Sequence, residues 1–329
     1  MTNCGPGGTG TESCCTSLDV PGGTYYRTYD PIDEDGGVVL LADGGATGMA
    51  DPATVSEFRL DKYLVTVGRF RQYVNDVTSN TGAAPPDGSG IHTHLNGGLG
   101  LANSASPGTY ETGWDATDWD DDIATGPGAT AAWNASLACP AYPSAPSLGT
   151  WTNPAGTQEN LPITCVSWQW AYAFCIWDGG FLPSEAEWGY VAAGGSQQRE
   201  YPWGSAAPGM GSQYAVQDPE GLPTALASVG TAPLGAAYWG QLDMAGQVAE
   251  WVLDTLLGVD AGGGGMEAAP YFNPCTNCAY LETGPLLDPR TRGGSLSLFS
   301  ATRLDVPVPN AGGGQPSIGF RCARTPSPR

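Results

Sequence analysis

Cysteine is the residue type with the most distinctive chemistry in this sequence, because nine cysteines occur in 329 residues. They lie at positions 4, 14, 15, 139, 165, 175, 275, 278 and 322. A zinc ribbon needs two close cysteine pairs at a fixed separation, which this distribution lacks. Disulfides are the better interpretation, and they persist outside the cytosol. We therefore expect an extracellular, periplasmic or cell-surface protein, although residues 1–4 show no basic or apolar export signal.

Two histidines, His92 and His94, are the next candidates for chemistry. In a strand, this spacing puts both imidazoles on one face. Two ligands are too few for a transition metal without help from carboxylates, and the flanking Gly and Ser residues favour an ordinary surface loop. The chain has no Gly-x-Ser-x-Gly elbow and no glycine-rich phosphate loop. Neither a Ser-His-Asp triad nor a phosphate site is indicated.

Carboxylates are concentrated in residues 114–122, where five aspartates occur in nine positions. The run lacks the register and the distal Glu of an EF-hand loop. A solvated acidic loop is therefore favoured over a specific cation site.

Composition and charge limit the partners. The 49 Gly and 28 Pro residues predict many loops, while 10% aromatic residues supply enough ring surface for a folded core. The net charge of −21 repels nucleic acid and anionic membranes. No apolar run reaches the roughly 18 residues of a membrane-spanning helix. We therefore expect no nucleic-acid partner and no membrane span.

The elements that position these residues begin after residue 22. Residues 1–22 show no hydrophobic period and are interpreted as a disulfide-held N-terminal extension. Strands are predicted at 23–29, at 37–41 and around Phe58. A helix capped by Thr66 follows, and a loop-rich insertion occupies about 79–160, where Cys139 offers a covalent anchor.

Two further helices are predicted in the centre of the chain. Ser167 precedes residues 168–177, which are apolar on nearly every face and therefore typical of a buried helix. Ser184 and Glu187 form a capping box that starts a helix running to Ala193.

Eight segments of this sequence resemble consecutive signatures of the formylglycine-generating enzyme (sulfatase-modifying factor) family. They are 161–168, 171–177, 181–188, 192–195, 201–204, 243–251, 292–295 and 318–322. Their order and spacing hold from about residue 22 to residue 324. The resemblance implies an α+β fold, a variant of the C-type lectin-like fold with little regular secondary structure. Residues 23–329 would form a single such domain carrying the insertion.

The resemblance also implies one disulfide, between Cys175 and Cys322. Two other pairings are inferred from proximity: Cys139 with Cys165 would anchor the insertion, and Cys275 with Cys278 would close a small loop. The pairing of Cys4, Cys14 and Cys15 stays open.

The named activity of the family depends on copper held by two cysteines in a Cys-x4-Cys segment after Gly-Gly-Ser. In this sequence the corresponding positions are Leu298 and Arg303. Cu(I) prefers soft thiolate ligands, and neither side chain supplies one. We therefore expect no copper and no formylglycine generation by that mechanism.

A structural calcium ion is the cofactor that the resemblance implies. Its ligands would come from Asp243, Gly246, Val248 and Glu250, two through side chains and two through backbone carbonyls, as a hard cation requires. The alternative is that Asp243 is a helix N-cap and Glu250 caps nearby amides. A second calcium segment of the family is not carried over, because Ala215 stands where an Asn would bind.

Most aromatic rings belong to the signatures and should be structural. These are Trp168, Trp177, Trp188, Trp203 and Trp251, whereas Trp114, Trp119, Trp133 and Trp151 in the insertion are expected to be freer to bind.

The sequence leaves hypotheses from different classes. In the first, this is an exported recognition protein in which the former copper segment binds a protein, glycan or small molecule through Leu296, Leu298, Phe299 and Arg303. In the second, it is an oxidoreductase with another cofactor or chemistry. A structural surface protein is the third possibility, since a fold alone does not fix a function.

Overall fold

The computed structural model describes residues 2–5, 9–29, 49–139, 148–206, 213–216, 225–257, 273–282, 287–294 and 315–328. Within these ranges the chain forms five α-helices and five sheets of two or three strands. Long connecting loops join them. The prediction of an α+β fold with little regular structure is confirmed.

The helices are α1 (Val67–Val77), α2 (Ala116–Trp119), α3 (Thr130–Leu137), α4 (Trp168–Trp177) and α5 (Glu185–Ala192). The strands are β1 (Thr2–Cys4), β2 (Glu12–Ser13), β3 (Ser17–Val20), β4 (Gly23–Tyr29), β5 (Met49–Val55), β6 (Phe58–Asp61), β7 (Ala102–Asn103), β8 (Ala249–Leu257), β9 (Cys275–Thr276), β10 (Cys278–Ala279), β11 (Leu287–Arg292), β12 (Ile318–Gly319) and β13 (Ala323–Arg324). The sheet orders are β1-β2, β10-β7, β11-β8-β12, β13-β6-β3 and β4-β5-β9. The pairs β10-β7, β12-β8 and β5-β9 are parallel, and the other pairs are antiparallel.

The N-terminal segment differs from its prediction, because regular structure begins before residue 22. Strand β3 pairs with β6 in a register that places Ser17 opposite Asp61 and Val20 opposite Phe58. Strands of two to four residues are too short to show a hydrophobic period, so they could not be predicted from the sequence. The predicted strand at 37–41 lies outside the described residues.

Helices α1 and α4 form the main core together with the last strand region. Phe70 of α1 stacks on Phe174 of α4 with ring centroids 5.6 Å apart, and Phe320 packs edge-on against both. The disulfide between Cys175 and Cys322 joins α4 to the last strand region covalently. Local sequence starts each helix, since the side chains of Thr66 and Ser167 accept amide hydrogen bonds as N-caps.

The disulfides expected from the sequence are present in the structure. Cys139 is joined to Cys165, Cys175 to Cys322 and Cys275 to Cys278. The open N-terminal pairing is Cys4 with Cys14, which leaves Cys15 as an exposed thiol. No described helix has the length and apolar character needed to cross a membrane.

The tryptophans of the insertion are core residues, which corrects the expectation that they are freer to bind. Trp114, Trp133 and Trp151 are buried, and Trp119 packs edge-on against Trp114 and Trp168. The reason is that α2 and α3 are too short to bury themselves and dock on α1 and α4 through these rings. Two signature rings lie at the surface instead: Trp177 is 38% exposed and Trp203 is half-buried.

Candidate functional site

A buried histidine lies between two glutamates where the insertion meets α5. The Nδ1 atom of His92 lies 3.0 Å from both carboxylate oxygens of Glu111. Its Nε2 atom lies 3.2 Å from Oε2 of Glu187, in an ion pair that is poorly aligned for a hydrogen bond. The expectation of an ordinary surface loop is therefore wrong for His92, because two acidic partners hold the imidazole inside the protein.

Electrostatics fix the charge of this cluster. Burial opposes a charged imidazole, but Glu111 and Glu187 together raise the pKa of His92 to about 10. Burial opposes the charged form of Glu187 as well, yet the contact with His92 lowers the net pKa of that carboxyl. His92 is thus an imidazolium at neutral pH, and Glu187 is a carboxylate.

Each glutamate is also held by the backbone. Glu187 completes the predicted capping box, since its Oε2 accepts the Ser184 amide at 2.8 Å. Glu111 accepts the amides of His92 and Leu101 at 2.7 and 2.8 Å. Charge-assisted hydrogen bonds therefore hold His92 on Glu111 within the insertion, and the ion pair with Glu187 ties it to the first turn of α5.

His94 lies beside this cluster and is neutral. The rings of His92 and His94 both contact Phe181, at centroid distances of 3.7 and 5.7 Å. Burial lowers the pKa of His94, and the interaction of its ring with the Glu57 backbone only partly opposes that shift. The carboxylates that a metal site would need already engage both nitrogens of His92.

One group of possible metal ligands occurs in the described part of the chain, and it is accounted for by other bonds. It consists of Asp61, Asp178 and Cys322. The cysteine is in a disulfide, while Arg69 and Arg324 pair with both aspartates. This cluster is a buried ion-pair network.

The segment expected to bind calcium forms a tight buried turn. Asp243 has a positive φ of 57°. Gly246 has a φ of 78°, and a Cβ added to it would lie 2.7 Å from the Val216 carbonyl oxygen. Oδ2 of Asp243 accepts the Gly230 amide at 2.6 Å, whereas Oδ1 is buried without a partner. Burial raises the pKa of Asp243 to about 6. Val248 is buried in the same turn.

Glu250 at the other end of the segment is held by Arg321. The two carboxylate oxygens accept from Nε and Nη2 at 2.6 and 2.9 Å, and both residues are fully buried. Arg321 also donates to the carbonyls of Asp61, Lys62 and Leu242. Burial raises the pKa of Glu250 while Arg321 opposes that rise.

These residues fit a calcium ion unevenly. The unpartnered buried oxygen of Asp243 is the acceptor that a cation would satisfy. Glu250 shares its charge with Arg321, so an ion would have to share this carboxylate with the guanidinium. Asp243 is therefore the stronger candidate ligand of the two.

The residues just before the segment that corresponds to the family's copper-binding segment are held by buried contacts. Arg292 at the end of β11 pairs with Glu185 of α5 at 2.5 Å, and Arg290 lies 3.5 Å from the same carboxylate. A Cβ added to Gly293 would lie 3.1 Å from the Trp188 ring and 3.0 Å from the Met244 carbonyl, so the chain passes close to α5. The predicted ligand-binding residues Leu296, Leu298, Phe299 and Arg303 lie outside the described residues.

Sequence reasoning missed the partners of His92 and Glu250. Glu111 carries no local signal, because it lies 19 residues from His92 in an irregular loop. Glu187 was recognised only as part of a cap. Arg321 belongs to a signature, but nothing in its own neighbourhood points to a glutamate 71 residues away.

Comparison with known proteins gives several formylglycine-generating enzymes and a hercynine oxygenase among the relatives. The mouse formylglycine-generating enzyme is 36% identical over 117 residues, which cover 32% of this chain and 32% of the mouse protein. The enzyme of Thermomonospora curvata is 29% identical over 252 residues, covering 71% of this chain and 70% of the relative. The mouse inactive C-alpha-formylglycine-generating enzyme 2 is 34% identical over 116 residues, covering 32% and 38%. The chain thus covers about a third of the mouse relatives' length.

The structure of PvdO from Pseudomonas aeruginosa has the same fold, with a TM-score of 0.51 at 18% identity over 96% of this chain and 100% of PvdO. Residues 7–326 match the sulfatase-modifying factor enzyme 1-like domain. Because this match extends over nearly the whole sequence, the chain belongs to the family of formylglycine-generating-enzyme-like (sulfatase-modifying factor) proteins.

Proposed function

We propose that this chain is an exported ligand-binding or recognition protein that does not carry out copper-dependent cysteine oxidation. The observation that carries the proposal is the pair Leu298 and Arg303, which stand where the family's enzymes have their copper-binding cysteines. Leu298 offers only methyl groups. Arg303 places a permanent positive charge beside any cation that enters.

The disulfides support the same proposal, because they leave too few thiols for a copper site. Eight of the nine cysteines are paired, and Cys15 is the remaining thiol. A two-thiolate site cannot form from one cysteine. Four disulfides also favour a location outside the cytosol. The existence of a relative named as inactive is compatible with a family member without this activity.

The proposed recognition surface is the segment that follows Gly293. The residues just before it are held by the pairing of Arg292 with Glu185 and by the contact of Gly293 with Trp188. Leu298 and Phe299 would serve as apolar anchors and Arg303 as a polar one, with a protein, glycan or small molecule as the ligand. A rigid base reduces the entropy lost when such a segment binds.

We further propose a structural calcium ion at Asp243, with Glu250 and the carbonyls of Gly246 and Val248 as the other ligands. The supporting observation is the buried Oδ1 of Asp243 that lacks a partner. The role of this ion would be to stabilise the turn, as oxygen-ligated calcium does in many loops.

The test is to incubate the purified chain with Cu(I) and a sulfatase-type cysteine peptide under oxygen, and to look for the aldehyde by mass. We expect neither stoichiometric copper nor aldehyde. The double variant Leu298→Cys/Arg303→Cys is the matched control for copper binding, with each single variant remaining copper-free. Copper binding or aldehyde formation by the unmodified chain would refute the proposal.

A second arm measures recognition directly. Peptide-display and glycan-array probes are screened with the wild-type chain, and any ligand found is tested against Leu298→Asp and Phe299→Asp. We expect binding that these changes abolish, with Leu99→Asp, an exposed residue of the insertion, as the control. If elemental analysis of the purified chain finds a stoichiometric metal other than calcium, the oxidoreductase alternative is favoured.

A further inference from the structure

A group of aromatic rings covers one part of the described surface. Its members are half-buried or exposed and come from the loops 195–206, 213–216 and 233–240. They are Tyr201, Trp203, Tyr214, Tyr238 and Trp239, with Arg199 between them, and we call this set the aromatic face. Tyr238 is 51% exposed. A cluster of partly exposed rings is therefore a candidate binding surface.

The rings of the aromatic face are held in place by one another. Tyr201 and Trp203 are parallel, with centroids 5.0 Å apart and planes at 3°, and Tyr214 lies 5.3 Å beyond Trp203. Trp239 stacks at 5.2 Å on Tyr190 of α5, a residue of the core. Because the rings are already ordered, a ligand would lose little entropy in organising them.

Arg199 joins the two halves of the face. Its guanidinium lies 4.9 Å from the centroid of the Tyr238 ring. The same group donates to the Pro202 carbonyl at 2.9 Å, between Tyr201 and Trp203, and to the side chain of Gln197 at 2.7 Å. A cation already lies over Tyr238, so the face is not an empty cage for a cationic ligand.

Charge and ring chemistry together select the class of ligand. Stacked rings suit nucleobases, quaternary ammonium groups, prolines and sugars. The net charge of −21 disfavours nucleic acids and other polyanions, and Arg199 over Tyr238 disfavours cations. Leu234 is an exposed aliphatic residue of loop 233–240. The other apolar side chains of this surface are aromatic rings.

Rings bordered by planar polar groups match a sugar, whose C–H face stacks on an aromatic ring while its hydroxyls take hydrogen bonds at the rim. Arg199 and Gln197 provide such groups here, and the hydroxyl of Tyr201 hydrogen-bonds Glu200 beside them. We propose that the aromatic face binds a neutral oligosaccharide. This proposal uses none of the residues 296–303 and does not depend on the function proposed for them.

The experiment screens the full chain against neutral oligosaccharides of glucose, mannose and N-acetylglucosamine, and measures the best binder by calorimetry. Tyr238→Ala is the main variant, because an exposed ring can be removed without a cavity. We expect it to weaken binding about tenfold, the effect of losing roughly 1.4 kcal/mol of ring contact. Tyr201→Ala should act in the same direction.

Leu234→Ala is the matched control from the same loop, and Tyr110→Ala is the control for an exposed ring elsewhere; neither should change the affinity. No binding of any neutral oligosaccharide at 10 mM, a ceiling of about 3 kcal/mol by the affinity relation, would overturn the proposal. So would equal binding by Tyr238→Ala, or a proline-rich peptide as the sole ligand of this face. Loss of sugar binding in Leu298→Asp but not in Tyr238→Ala would assign the sugar to segment 296–303 instead.

Discussion

The charge on His92 can be tested through the pH dependence of stability. The groups that face this imidazole are Glu111, Glu187 and the neutral His94. Because the folded pKa of about 10 exceeds the ordinary value of 6.5, the protonated folded state is favoured. The resulting stability is fully present below pH 6.5, declines above it and is lost as the pH rises through 10.

The shift corresponds to at most about 5 kcal/mol, and each pH unit between 7 and 9 should remove about 1.4 kcal/mol. The assay is urea unfolding at pH 7, 8 and 9. We expect a decline of about 3 kcal/mol over this range for the wild type and for His94→Gln, the matched control. His92→Gln should be less stable at pH 7, because it leaves two buried carboxylates without a cation, and its stability should no longer follow this slope.

Nitrogen NMR of the imidazoles gives an independent measurement on the wild-type chain, in case His92→Gln does not fold. One histidine should stay protonated at pH 8, and it should be missing from the spectrum of any folded His92 variant. A neutral His92 at pH 8, or parallel stability profiles of wild type and His92→Gln, would refute the reasoning.

Three other predictions concern the turn at Asp243, the ion pair of Glu250 with Arg321 and the disulfide between Cys175 and Cys322. Calcium chelation should lower the melting temperature of the wild type by several degrees, and Asp243→Ala should lower it without chelator and remove the response; an unchanged wild type would exclude the ion. Arg321→Met should cost about 3–5 kcal/mol in urea unfolding by leaving Glu250 unpaired, and adding Glu250→Gln should recover part of the loss. Non-reducing peptide mapping should find Cys175 linked to Cys322, and replacing both with Ala should cost up to about 5 kcal/mol; two free thiols in the wild type would contradict the pairing.

Local signals carried the sequence predictions that were confirmed. Thr66, Ser167 and Ser184 each accept an amide hydrogen bond at a helix start, and the Glu187 side chain completes its box. Capping is decided within four residues, so a single sequence contains the information. The resemblance to a family added the order of the later segments.

Contacts between distant residues account for what the sequence did not reveal. Glu111 and His92 meet in a loop without periodicity. Their pairing could not be predicted from the sequence, because it depends on the burial of both side chains in the folded chain. The prediction that the tryptophans of the insertion are freer to bind was wrong for a similar reason. Trp133 lies in a short helix whose sequence does not indicate burial. Its ring centroid nevertheless lies 5.9 Å from that of Phe70, and its side chain is fully buried.

The first turn of α5 explains how one segment of this family can change while the fold persists. Glu185 holds Arg292 and Glu187 holds His92, while Trp188 lies against Gly293. All of these contacts lie in the core, and each of their residues precedes Leu298 and Arg303 in the sequence. Replacing ligands beyond Gly293 removes no buried pair that the structure describes. Absence of the two copper-binding cysteines and retention of the frame are therefore compatible on physical grounds, because the residues concerned are different.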